Sequence, residues 1–157
     1  MLRVLLCFGI FIVATSAFAQ PNIEKTIVNQ TLERFHQAAA EANYVRYFDL
    51  FAEQAVFLGT DGNERWTKEA FKQFVMPHFS KGNGWLYTKI QRNISLVKDK
   101  DIAFFDELLF NKNYGQCRGT GILIKENNTW KILQYNLSIP VPNEISEQIV
   151  GLIQKVS

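Results

Sequence analysis

IAFFDELLF, residues 102–110, is an apolar run broken only by Asp106 and Glu107. Turn residues bound it on both sides, Lys98-Asp99-Lys100-Asp101 before and Asn111 to Gly115 after, so it reads as a strand. Side chains alternate along a strand. Asp106 therefore shares a face with Ile102, Phe104 and Leu108, and Glu107 shares the other with Ala103, Phe105 and Leu109. An ionised carboxylate in such surroundings must find a partner or raise its pKa. A strand gives such positions to acids for a pocket or for a buried ion pair. Alternation alone leaves open which of the two acids faces inward.

Outward from this strand the period stays at two. CRGTGILIK, residues 117–125, returns after the turn, with Arg118, Thr120, Ile122 and Ile124 on one face and Cys117, Gly119, Gly121 and Leu123 on the other. Across a short turn Arg118 is expected near Asp106 or Glu107. Upstream, Leu86, Ile90, Ile94 and Leu96 alternate with Tyr87, Lys89, Gln91, Asn93 and Ser95. The last strand, Trp130 to Ile139, places Trp130, Ile132, Gln134, Asn136 and Ser138 on one face and Lys131, Leu133, Tyr135 and Leu137 on the other. Gln134 and Asn136 are then polar insertions that reach the same interior as the acid on the middle strand.

Before the meander the period is helical. Ile23, Ile27, Leu32, Phe35 and Ala39 predict a long helix from about Ile23 to Glu41, and Tyr44, Tyr47, Phe48 and Phe51 a short second one. AVFLGT, residues 55–60, reads as a strand ending in the turn Asp61-Gly62-Asn63. Thr67 is placed to cap a helix that buries Phe71, Phe74, Val75 and Phe79 and stops at Lys81-Gly82-Asn83-Gly84. Asn143 is expected to cap a final helix carrying Ile145, Ile149, Leu152 and Val156. The order predicts an α+β domain with a curved antiparallel sheet and helices on its concave side.

The first 19 residues read as a secretory signal peptide: Arg3 as the positive n-region, Val4 to Val13 as the apolar core, Ala17-Phe18-Ala19 as the cleavage site. That core is short of the roughly 20 residues of a permanent span. An exported protein, periplasmic or secreted, without a stable membrane anchor is expected. Residues 20–157 make one domain. Seventeen Lys and Arg stand against fifteen Asp and Glu with no basic block, so nucleic-acid binding has no electrostatic footprint. Cys117 is alone in this domain and cannot form an internal disulfide. His36 and His78 fall in separate helical patterns, and no cluster has metal-ligand spacing, so neither metal nor cofactor is expected.

Three segments carry a resemblance: YFDLFAEQAVFLGTDGNERWTKEAFKQF (47–74), FFDELLFNKNYGQCRGTGILIK (104–125) and TWKILQYNLSIPVPNE (129–144). They resemble the SnoaL-like branch of the nuclear transport factor 2 superfamily, over roughly Ile23 to Ile153. The resemblance implies a cystatin-like cone, a bent sheet around a long helix with a cavity at the wide end. It also implies a homodimer paired through the outer sheet face. Members include isomerase-like and cyclase-like enzymes, dehydratases and many proteins of no known activity, so fold constrains function weakly. Isomerase-like and cyclase-like members use an inward acid, or an Asp/His pair, as general acid or base. Asp106 or Glu107 would supply it here, with Tyr44, Tyr47, Tyr87 or Tyr114 as donors, although no isomerase or cyclase set matches position for position.

The reading that follows is a cavity for a small, largely apolar or aromatic molecule. Its expected anchors are Asp106 or Glu107, Arg118, Asn136, Gln134, Tyr47 and Tyr44, with Trp66 stacking or packing at the cone mouth. The alternatives are an enzyme of the isomerase, cyclase or dehydratase kind, and a non-catalytic dimeric interaction module. For the two acids and Arg118 a purely structural ion pair competes with any of these.

Overall fold

A computed structural model describes residues 20–97 and 101–156. The expected signal peptide and most of the turn before Ile102 lie outside them. Helix α1 (Gln20–Ala40) is followed by α2 (Tyr44–Asp49), strands β1 (Phe51–Leu58) and β2 (Arg65–Thr67), and α3 (Lys68–Phe79). Strands β3 (Thr88–Leu96), β4 (Ile102–Asn111), β5 (Gly115–Glu126) and β6 (Thr129–Ser138) form the meander, and α4 (Ser146–Ile153) ends the chain after a single 3-10 turn. No helix among the described residues is long and apolar enough to cross a membrane.

The six strands form one sheet in the order β2-β1-β6-β5-β4-β3. The sheet is mixed rather than wholly antiparallel, because β1 pairs with β6 in parallel. Helix α1 lies against its inner face. Val28, Leu32, Phe35 and Ala39 are buried at helical spacing, and His36, one turn beyond Leu32, is buried with them. The sequence pattern had started this face at Ile23, yet Ile23 and Ile27 are exposed.

Local chemistry sets the element ends. The Thr67 side chain accepts the N–H of Ala70 and caps α3 as expected. Phe51, expected on α2, instead opens β1, because Asn43 caps a helix of only six residues. Phe71, Val75 and Phe79 of α3 are buried, whereas Phe74 is 41 % exposed at the cavity mouth. Gly84 allows the chain to pass over the C-terminus of α1: a Cβ there would meet the Ala40 carbonyl oxygen at 2.3 Å. The Trp85 N–H then donates to the Ala39 carbonyl at 2.9 Å, satisfying one of the helix's open acceptors. Asn143 makes no side-chain cap for α4; Pro142 occupies the capping position of the 3-10 turn instead.

The register shifts at three places, in β1 between Phe51 and Val56 and at two that set the facing of the site strands. In β3 the register steps between Lys89 and Gln91, leaving Ile90 as an extra, exposed residue. In β6 the partners Ile122–Gln134 are followed by Leu123–Ile132, so Leu133 is the extra residue. An inserted residue flips the facing of everything beyond it. Trp130 and Ile132 therefore face inward with Tyr135 and Leu137, all four buried. Gln134 and Asn136, expected inside with Trp130, belong to the outer face.

Candidate functional site

Glu107 is the inward acid. It is fully buried, and three elements converge on its carboxylate. His36 Nε2, from α1, lies 2.8 Å from Oε1. The Tyr135 hydroxyl, from β6, donates to the same oxygen at 2.8 Å. Arg92 Nε, from β3, donates to Oε2 at 2.7 Å. Arg92 Nη2 sits 2.6 Å from Oε2 but out of line for a hydrogen bond, so that contact is ionic. The third guanidinium nitrogen, Nη1, donates to Asn29 Oδ1 and Glu33 Oε1, both at 2.9 Å. Lys89 completes the chain by pairing with Glu33 at the surface.

Register explains the meeting. Arg92 stands directly opposite Glu107, and Glu107 opposite Gly119. A Cβ on Gly119 would come within 2.3 Å of the Tyr135 hydroxyl and 2.8 Å of Glu107 Oε1. The missing side chain is what lets these two groups touch across β5.

Burial works to raise the Glu107 pKa and is the largest single influence on it. The His36 hydrogen bond, the Arg92 charge and the Tyr135 hydroxyl together outweigh burial and hold the carboxyl below its ordinary value. Burial pushes the Tyr135 phenol well above the ordinary range, and the Glu107 charge adds to the shift. An ionised carboxylate only accepts hydrogen bonds, so the proton between the pair resides on His36 Nε2. In the neutral imidazole Nδ1 is then the acceptor.

His36 and Tyr135 form part of the wall of a cavity of about 280 Å³, and Glu107 stands behind them. Ten of its seventeen wall residues are Phe, Tyr or Trp. Phe57 stacks between Phe71, at 4.0 Å between ring centres, and Tyr135, at 5.5 Å. Phe35 stacks on Tyr47 at 4.9 Å. Tyr87 lines the same space, its phenol pushed up to about 12 by burial first and then by Cys117 and Tyr114. No group of three or more His, Cys, Asp or Glu among the described residues is arranged to hold a metal ion.

Of the residues singled out in the sequence, Glu107, Tyr47 and Trp66 come together at or behind this cavity, as do the donor candidates Tyr87 and Tyr114. Tyr44 does not reach the wall; it packs on Phe48 at 4.8 Å. Asp106 is exposed on the outer face, where Asn93 Nδ2 donates to it at 2.8 Å. Arg118 is likewise exposed and outward, opposite Leu108, and makes no ion pair with either acid. Gln134 and Asn136 lie outside the cavity through the Leu133 bulge. Arg92, Tyr135 and Gly119 escaped notice as site residues. The signal for His36 was its place one turn after Leu32 on the buried stripe of α1.

A model of the SnoaL-like domain matches residues 28–142. The chain belongs to the SnoaL-like domain family. None of the curated proteins is similar to it in sequence. Among solved structures, an NTF2-like protein of unknown function from Pseudomonas putida is 14% identical, with 78% of this chain and 91% of that one covered at a TM-score of 0.66. A protein of unknown function from Mycobacterium tuberculosis is 15% identical, with 85% and 82% covered at 0.67. A candidate scytalone dehydratase from Novosphingobium aromaticivorans is 13% identical, with 78% and 88% covered at 0.65. At these identities the likeness shows the fold alone, that of the nuclear transport factor 2 superfamily, which a structure described as cystatin-like also shares.

Proposed function

We propose that this SnoaL-like domain binds a small aromatic molecule in its cavity, holding the rings by stacking and a ligand hydroxyl by His36. The observation that carries the reading is the wall itself: ten aromatic side chains around a histidine whose Nε2 is committed to a buried carboxylate. Pockets that take small molecules are mostly apolar with a few fixed polar groups. The hydroxyl would donate to Nδ1, the acceptor the Glu107 pairing leaves. Thermal unfolding against a library of phenols, steroids and polyketides tests this. A ligand at 100 times its dissociation constant adds about 2.7 kcal/mol, and His36→Phe should abolish the gain while the apolar wall is kept.

A second reading, proton transfer of the dehydratase kind, draws on the same pair. A histidine held by an ionised carboxylate is oriented for general acid or base work. In this reading Glu107 positions and His36 moves the proton, which displaces the carboxylate from the role of direct base. Loss of water from a hydroxylated ring compound, followed by absorbance, would support it; binding without turnover would favour the first reading.

We further propose export, from the leader-like residues 1–19, and pairing of two copies through the outer sheet face, where Phe104 and Phe110 are each 52 % exposed.

A further inference from the structure

The cavity wall is uneven in charge. Among the described residues no Lys or Arg lines it, and its one carboxylate is that of Glu64. Glu107 is behind the wall and already neutralised by Arg92. Glu64 comes from the turn between β1 and β2, half-buried. Its Oε2 accepts the Asp61 N–H at 3.2 Å. The carboxylate folds over Gly59, where a Cβ would come within 2.1 Å of Oε2. Gly59 therefore leaves the space that the acid occupies. Glu64 takes part in no ion pair among the described residues.

The rings of this wall reinforce the same sign. Trp66, Phe74 and Trp85 form a continuous aromatic surface, with Trp66 on Phe74 at 4.8 Å and Phe74 near Trp85 at 6.4 Å. Ring faces are electrostatically negative and attract cations, an attraction that grows as water is excluded. A carboxylate or phosphate on the ligand would meet Glu64 and ring faces with no fixed countercharge. An ammonium would meet both favourably.

Resting on the reading of the cavity as a binding site, we infer that its ligand is a hydroxylated arylalkylamine. The ring sits among the wall aromatics, the hydroxyl donates to His36 Nδ1, and the ammonium pairs with Glu64. Both polar anchors of this arrangement are acceptors, so the ligand is a donor at each end.

Calorimetric titration with tyramine, tyrosol and hydroxyphenylacetate tests the assignment, since the three share a phenol and differ in an ammonium, a hydroxyl or a carboxylate. The three titrations are run side by side in one buffer at about pH 8, where the tyramine amine carries its charge. Tyramine should bind at least about fivefold more tightly than tyrosol, the equivalent of roughly 1 kcal/mol for a cation beside rings and an acid. Hydroxyphenylacetate should be the weakest. Glu64→Gln keeps an acceptor for the Asp61 N–H and should remove most of the tyramine preference, leaving the share due to the rings. Equal binding of tyramine and tyrosol would overturn the amine assignment, a preference undiminished by Glu64→Gln would overturn the pairing with Glu64, and either result leaves the cavity reading standing. Failure of all three to bind would overturn both.

Discussion

At the residue scale the molecule turns on Glu107, an acid buried without access to water yet kept ionised. Removing one member of a buried pair typically costs about 3 to 5 kcal/mol, because the other is left uncompensated. Glu107→Gln strands Arg92 in part, with Glu33 still beside it, and a loss of about 3 kcal/mol in urea unfolding is expected. Arg92→Met leaves the carboxylate without its cation and should cost at least as much. The sign of the pH dependence follows from the depressed carboxyl. Its contribution is complete above the ordinary glutamate value of 4.5 and is lost as pH falls through the lower value of the folded state. Stability measured from about pH 6 down to about pH 3 should therefore decline, and the decline should be shallower in Glu107→Gln. A parallel pair of curves would refute this account of the site.

At the element scale the β-bulges decide which residues form the site. Period-two reading found the strands and reduced the inward acid to one of two neighbours. It failed beyond Leu133, where one inserted residue carried Tyr135 inward with Trp130 and sent Gln134 and Asn136 out. Nothing in the composition of LQYN marks that insertion; it is set by pairing with β5, a long-range property. Arg118 misled for a related reason. It is close to Glu107 along the meander but on the opposite face, while the true partner, Arg92, comes from the strand on the other side. His36 was more legible, since it lies on the same helical stripe as Leu32 and Phe35. Deleting Leu133 should remove the bulge yet keep Tyr135 inward with Trp130 and Ile132, so cooperative unfolding followed by circular dichroism should survive the deletion; its loss would argue against Leu133 as the inserted residue. Gly119→Ala has a sharper local consequence. With the Tyr135 hydroxyl only 2.3 Å from the new Cβ, overpacking of about 1 to 3 kcal/mol is expected. Adding Tyr135→Phe to Gly119→Ala should recover part of it, and no recovery would argue against the contact.

At the scale of the whole molecule, the outer face of the sheet is the counterpart of the cavity. Phe104 and Phe110 stand out on β4 with Ile102, and large exposed apolar patches mark partner surfaces. Light scattering should report two copies per particle at micromolar concentration. The double change Phe104→Glu with Phe110→Glu should yield one copy without altering the circular dichroism spectrum; a particle size indifferent to both changes would remove the pairing proposal.

The parallel pairing of β1 with β6 also governs the order in which the protein can come into being. The β1–β2 ribbon joins the rest of the sheet only through β6, the last strand to be synthesised. Until Thr129–Ser138 emerges, the first half of the chain has no sheet neighbour to hold it beyond its own hairpin. Contacts so distant along the chain close slowly. A sheet of this topology therefore closes only after nearly the whole chain has been made, however early its helices and its central meander take shape.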